Sequence, residues 1–87
     1  MSKIVFTENA FAEYLYWQSQ DKKTLKRINM LLKDIDRNPF EGIGKPEALK
    51  ANLAGYWSRR IDEANRLVYR VGEGFIEVYQ CKNHYDE

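Results

Sequence analysis

Apolar residues recur at helical spacing between Glu8 and Ile35 and fall into three short strand-like runs between Tyr56 and Cys81, with Asn38-Pro39 separating the two patterns. A chain divided in this way points to helices gathered on one face of a sheet, the layered arrangement that buries both apolar surfaces at once.

Lys3–Phe6 (KIVF) is a β-branched run closed by Thr7. Thr7 can cap a helix beginning at Glu8, whose carboxylate suits a helix amino terminus. Phe11, Tyr14, Leu15 and Gln18 give that helix one apolar face with a polar end. Asp21 reads as a second cap, followed by Leu25, Ile28, Leu31, Leu32 and Ile35 on one stripe; Lys22, Lys23, Lys26, Lys33 and Asp34 are expected outside. With only Ser19–Asp21 between them, the two helices should form an antiparallel hairpin. From Phe40 to Gly55 the periodicity is lost, and Gly42, Gly44, Pro46, Asn52 and Gly55 mark a connecting loop. Strands are expected over Tyr56–Ile61, Arg66–Val71 and Phe75–Cys81, the last two as a hairpin. The fold class is α+β, in the order β-α-α-β-β-β, with a helical hairpin packed on a small antiparallel or mixed sheet. The other sheet face stays open to solvent, a ligand or a partner. At 87 residues the chain supports one modest core, so residues 1–87 are expected to form a single domain.

No apolar run approaches the roughly 20 residues that span a bilayer, and no basic-then-apolar leader opens the chain, so a cytoplasmic address without membrane contact is expected. Cys81 has no partner for a disulfide and fits a buried strand position. Net charge is only +1, but its distribution is uneven. Lys45, Lys50, Arg59, Arg60, Arg66 and Arg70 stand in the middle of the chain against Glu47, Asp62 and Glu63, which makes a phosphate-sized patch.

Gly42-Ile43-Gly44-Lys45 is not a nucleotide-binding loop, because Pro46 follows the lysine and removes an amide donor. One histidine and one cysteine cannot assemble a usual zinc site, and the acids lack calcium-loop spacing, so neither a metal nor another cofactor is expected. What remains is Glu47 and Lys50 in the loop, Arg60 and Arg66 on neighbouring strands, and His84-Tyr85 after the last strand. These types match metal-free RNA cleavage: a base for the 2′-hydroxyl, an acid for the departing 5′-oxygen, cations for the phosphate and a ring to stack on a base. Taken singly, each has a plainer reading as a solvated surface group. The shared face of the two arginines depends on register: a four-residue loop pairs Ile61 with Arg66 and sets Arg60 opposite Leu67, whereas an odd offset pairs Arg60 with Arg66.

Asn38-Pro39-Phe40-Glu41-Gly42, Gly44-Lys45-Pro46-Glu47, Leu53-Ala54-Gly55-Tyr56-Trp57-Ser58-Arg59-Arg60-Ile61, Arg66-Leu67-Val68-Tyr69 and His84-Tyr85 together resemble the YoeB family of the RelE superfamily. Tyr14-Leu15-Tyr16-Trp17-Gln18 and Asp21-Lys22 extend the similarity over nearly the whole chain. The resemblance implies a RelE-like toxin domain of a type II toxin-antitoxin system that cleaves messenger RNA on the bacterial ribosome and leaves a cyclic phosphate. It also implies a YefM-type antitoxin as cognate partner, operator DNA contacted only through that antitoxin, and homodimers. By position, Glu47 would be the general base and His84 the general acid. Arg66 would clamp the phosphate, Lys50 and Arg60 would support its charge, Tyr85 would stack on the nucleotide, and Glu63 is a further substrate-binding candidate. Asn65 stands where relatives often carry histidine, and Asp86-Glu87 extend past the His-Tyr pair with which relatives commonly end. Two acids close to His84 would favour its protonated form. A different reading within the superfamily is a ParE-like protein that inhibits DNA gyrase by contact alone, with Glu47, His84 and Tyr85 incidental. A role only as co-repressor fits less well, since +1 is a weak charge for direct DNA binding.

Overall fold

The computed structural model describes residues 2–87, and its elements follow the sequence pattern with one addition. Strand β1 (Lys3–Phe6) leads into helices α1 (Glu8–Gln20) and α2 (Lys22–Arg37), followed by β2 (Glu47–Ala48), a 3-10 turn (Ala51–Leu53), β3 (Trp57–Arg60), β4 (Arg66–Gly72) and β5 (Phe75–Gln80). The Thr7 hydroxyl accepts the Ala10 amide at 3.1 Å and so caps α1. Asp21 alone links the helices; its carboxylate accepts the amides of Lys23 and Thr24 and the Thr24 hydroxyl, at 3.1, 3.2 and 2.9 Å.

Strand β2 is the addition. Its two residues are exposed and carry no apolar alternation, so only backbone pairing with β3 reveals it. The sheet therefore has five strands, ordered β1-β5-β4-β3-β2, with β1 parallel to β5 and every other pair antiparallel. On the helical face Leu67, Tyr69, Ile76 and Val78 meet Ala10, Trp17, Ile28, Leu31, Leu32 and Ile35 in the main core. On the opposite face Val68 packs with Leu49, Leu53, Tyr56 and Tyr85 in a smaller cluster. That second cluster holds the chain ends of the cleft described below against the sheet.

Two charged residues expected outside are inside or half inside. Arg59 is fully buried, and all five of its N–H donors are used. Nε donates to the Tyr69 hydroxyl at 3.2 Å; Nη1 to Asp34 Oδ2 at 2.5 Å and the Ile43 carbonyl at 3.1 Å; Nη2 to the Asn38 and Glu41 carbonyls at 2.6 and 3.0 Å. Tyr69 in turn donates to the Pro39 carbonyl at 2.6 Å. The expectation that Asp34 faces solvent and that Arg59 belongs to a phosphate patch is therefore corrected. Polar loop carbonyls between Asn38 and Ile43 need donors, and alternation along β3 puts Arg59 on the helical face, where it supplies them. Gly42 lies against this knot at φ +126°, and a Cβ there would stand 2.1 Å from Asp34 Oδ2.

The knot has a pH signature. Asp34 is held below the ordinary aspartate range, first by the Arg59 hydrogen bond and then by the Ile43 amide. Asp21 shifts the same way, chiefly through the Thr24 hydroxyl, and Asp36 through the Ser2 amide. A carboxyl with a lower value folded than unfolded stabilises fully above the unfolded value and loses that contribution as pH falls through the folded one. Glu13 is shifted upward by burial and acts in the opposite sense. Urea midpoints should fall between about pH 5 and about pH 3, and a midpoint constant over that window would contradict the assignment.

Cys81 is buried, and that burial pushes its thiol up to about 12. A thiol reagent at neutral pH is expected to leave the folded protein unlabelled and to label it stoichiometrically in denaturant. Among the described residues no helix is long and apolar enough to cross a membrane.

Candidate active site

The open sheet face carries one cleft of about 480 Å³, lined by Lys45, Pro46, Glu47, Ser58, Arg60, Arg66, His84 and Tyr85. Four chain segments converge there, and each is placed by a traceable local cause. Glu47 is brought in by β2, where it stands opposite Ser58 and shares its face. The approach to β2 is fixed by Arg60, whose amide donates to the Gly44 carbonyl at 2.7 Å. Lys45 follows in the left-handed region at φ +50°.

Arg60 pairs directly with Arg66, the odd offset of the two registers left open by the sequence. The connecting loop has five residues rather than four, closed by the Ile61 amide on the Asn65 carbonyl at 3.0 Å. Two like charges set opposite each other on a sheet are destabilising, and an anion between or above them would relieve that repulsion. Arg66 is steadied by Nη1, which donates to the Asp62, Glu63 and Asn65 carbonyls at 2.7, 3.3 and 3.2 Å. Arg27 Nη2 donates to the Arg60 carbonyl at 3.1 Å and fixes the strand end from below.

His84 and Tyr85 come from the segment after β5. Their rings stack at 4.7 Å between centroids and 25° between planes. Tyr85 is half-buried on the Val68 cluster, and its hydroxyl accepts from Ser58 Oγ at 3.3 Å. His84 is exposed, with Nδ1 3.3 Å from the Tyr85 carbonyl. Where Nδ1 carries the proton it donates to that carbonyl and leaves Nε2 as the nitrogen free to exchange one.

Glu47, Arg60, Arg66, His84 and Tyr85 are thus brought together, while Lys50 and Glu63 are not among the lining residues. Lys50 offers its backbone amide to the Glu87 carboxylate, which draws that acid toward the 3-10 turn rather than to His84. Glu63 contributes a carbonyl to Arg66 and presents its carboxylate outside the cleft. Lys45, expected only as part of the basic patch, and Ser58, not singled out beforehand, also line the cleft. Strand alternation was the available signal for Ser58, since it shares the face of Arg60 two residues on. Among the described residues no group of three or more His, Cys, Asp and Glu is placed to hold a metal ion.

The profile of the YoeB-like toxin of bacterial type II toxin-antitoxin systems matches residues 6–85. The toxin YoeB of Synechocystis is 57% identical over 83 residues, 95% of this chain and 96% of that protein. The YoeB dimer of Staphylococcus aureus superposes with a TM-score of 0.91 at 55% identity, covering 97% of this chain and 98% of that one. The heterotetrameric YoeB-YefM toxin-antitoxin complex of the same species contains a chain with TM-score 0.91 and 55% identity, covering 98% and 99%.

Proposed function

Because the chain belongs to the YoeB-like toxins of bacterial type II toxin-antitoxin systems, we propose that residues 1–87 act as one toxin domain, a ribosome-dependent, metal-independent endoribonuclease that cleaves messenger RNA in the cytoplasm. The observation that carries this reading is the convergence of Glu47, the opposed Arg60–Arg66 pair and the His84-Tyr85 stack on one cleft. Glu47 takes the proton of the 2′-hydroxyl, whose oxygen then bonds to phosphorus. The bond from phosphorus to the 5′-oxygen breaks, and His84 gives that oxygen its proton, leaving a 2′,3′-cyclic phosphate and a 5′-hydroxyl. Arg66, with Arg60 and Lys45, holds the charge that grows on the phosphoryl oxygens. Tyr85 stacks on the flanking base and keeps the phosphorus in line, with Ser58 fixing its hydroxyl. Lys50 and Glu63 belong to the surroundings of the cleft, against the longer strand rather than the reacting atoms.

Ribosome dependence is the expectation that membership of the YoeB-like toxins carries, and the size of the cleft is compatible with it. The cleft matches a small-ligand pocket, so most of a messenger lies outside it and has to be held in the reactive shape by something else. The S. aureus dimer and YoeB-YefM complex support a homodimer and a YefM-type antitoxin as partners here. Contact with operator DNA only through that antitoxin is a further part of the proposal and rests on the family resemblance.

The test combines purified protein, ribosomes and a defined messenger, with and without EDTA, for wild type and the Glu47→Ala, Arg66→Ala and His84→Ala variants. Cleavage with cyclic-phosphate ends that persists in EDTA and fails in the variants supports the reading. Full activity in all three variants overturns it.

A further inference from the structure

The segment that carries His84 leaves the sheet at Cys81, and it is tied down by side chains that do not line the cleft. On one side α1 grips both peptide groups of Cys81: Glu13 Oε1 accepts its amide at 2.8 Å, and Trp17 Nε1 donates to its carbonyl at 2.8 Å. On the other side the two hydrogens of the Gln80 amide Nε2 are shared among three successive carbonyls, those of Lys82 at 3.0 Å, Asn83 at 3.2 Å and His84 at 2.6 Å. Three carbonyls turned toward one nitrogen require a tight reversal of the chain, and Asn83 supplies it at φ +66°. Asn65 Oδ1 accepts the Asn83 amide at 2.7 Å, and the Asn83 carbonyl accepts the Arg66 amide at 3.0 Å. The tail is therefore registered to the same loop that holds the Arg66 guanidinium.

Gln80 itself is delivered by an irregularity. Val68 faces Gln80 while Tyr69 faces Val78, so Tyr79 is an extra residue in β5. A bulge re-aims the side chains beyond it, and here it returns Gln80 to the face of Val68. Without that extra residue, strand alternation would carry position 80 to the helical face.

We propose that Gln80 is a positioning residue for the cleavage step: its amide folds residues 82–84 into the turn that sets the His84 imidazole on Tyr85 and over the cleft, with Asn65 as the second tether. The inference rests on the reading of His84 as general acid. Gln80 does not touch RNA, so its loss slows the chemical step and leaves binding alone. A misplacement of about 1 Å at a reacting group costs on the order of 100-fold.

The experiment uses Gln80→Leu, and Gln80→Glu as a variant of equal size that can only accept at neutral pH; urea midpoints confirm that each is folded. Single-turnover cleavage of a messenger on programmed ribosomes is expected to slow about 10- to 100-fold at saturation, with half-saturation unchanged within about twofold. In a His84→Ala background the same substitutions are expected to cost nothing more, since they act through His84. In parallel, NMR of the free protein should show loss of the contact between the His84 and Tyr85 rings. A wild-type rate, an equal loss in the His84→Ala background, a loss confined to half-saturation or an intact ring contact would each overturn the inference. If His84→Ala itself cleaves normally, the assignment of the acid fails separately, and the ring contact still decides whether Gln80 sets the tail.

Discussion

Glu47→Ala is expected to slow messenger cleavage by about 10²–10⁴-fold, the range that a positioned acid or base contributes to proton transfer in a transition state. Glu47 sits on an exposed two-residue edge strand, so the substitution removes the base without opening the core. The urea midpoint should stay close to that of the wild type, which separates lost chemistry from lost fold. His84→Ala is expected to fall in the same range, because leaving-group protonation is the other half of the transfer. Arg66→Ala should cost a comparable factor by a different route, since it leaves the phosphoryl charge to Arg60 and Lys45 alone. Residues that act on one transition state are not additive, so a Glu47→Ala/His84→Ala double variant should lose much less than the product of the two single losses. Product analysis on ribosomes, with rates normalised to folded protein, is the measurement. A product of single effects in the double variant would mean that the two groups contribute to the transition state independently rather than as a unit.

The second large effect lies outside the cleft. Arg59→Leu should destabilise the fold by about 3–5 kcal/mol, the usual cost of removing one partner from a buried, hydrogen-bonded ion pair. The loss follows from the five acceptors left behind: the Asp34 carboxylate, the Tyr69 hydroxyl and the carbonyls of Asn38, Glu41 and Ile43. Among the described residues no buried side-chain nitrogen or oxygen lacks a partner, so little slack exists to absorb orphans. Against a total of roughly 5–15 kcal/mol for a domain, such a change removes from about a fifth to all of the stability. Arg59→Lys should recover only part of it, because an ammonium has three donors and no planar fork. Urea unfolding of the three proteins gives the ranking directly, and an Arg59→Leu midpoint equal to the wild type would refute the account.

The helices and apolar strands were legible because side chains with a single destination made them. The stripe from Leu25 to Ile35 and the runs around Leu67 and Val78 needed no partner to be read. Strand β2 was not legible, since two exposed residues joined by backbone hydrogen bonds leave no pattern in side chains. Register was open for a related reason: pairing of Arg60 with Arg66 depends on the Ile61 amide reaching Asn65, a contact between backbones. Arg59 misled because composition counts a buried guanidinium as surface charge; its neighbour Arg60, of identical type, faces the cleft. The candidate site was legible in its residue types and, through the family resemblance, in its positions. Lys45 was legible only as a member of the basic patch, and the parts played by Ser58, Gln80 and Asn65 were not legible, because holding another residue in place has no chemical signature of its own.

Pairing of β1 with β5 has a temporal meaning. Lys3 meets Phe75, so the first strand made waits for the last one, and contacts this remote in sequence form late. Synthesis therefore yields a helical hairpin long before it yields a closed sheet. His84 follows β5, so the histidine that lines the cleft is added only after every element it docks upon has been made.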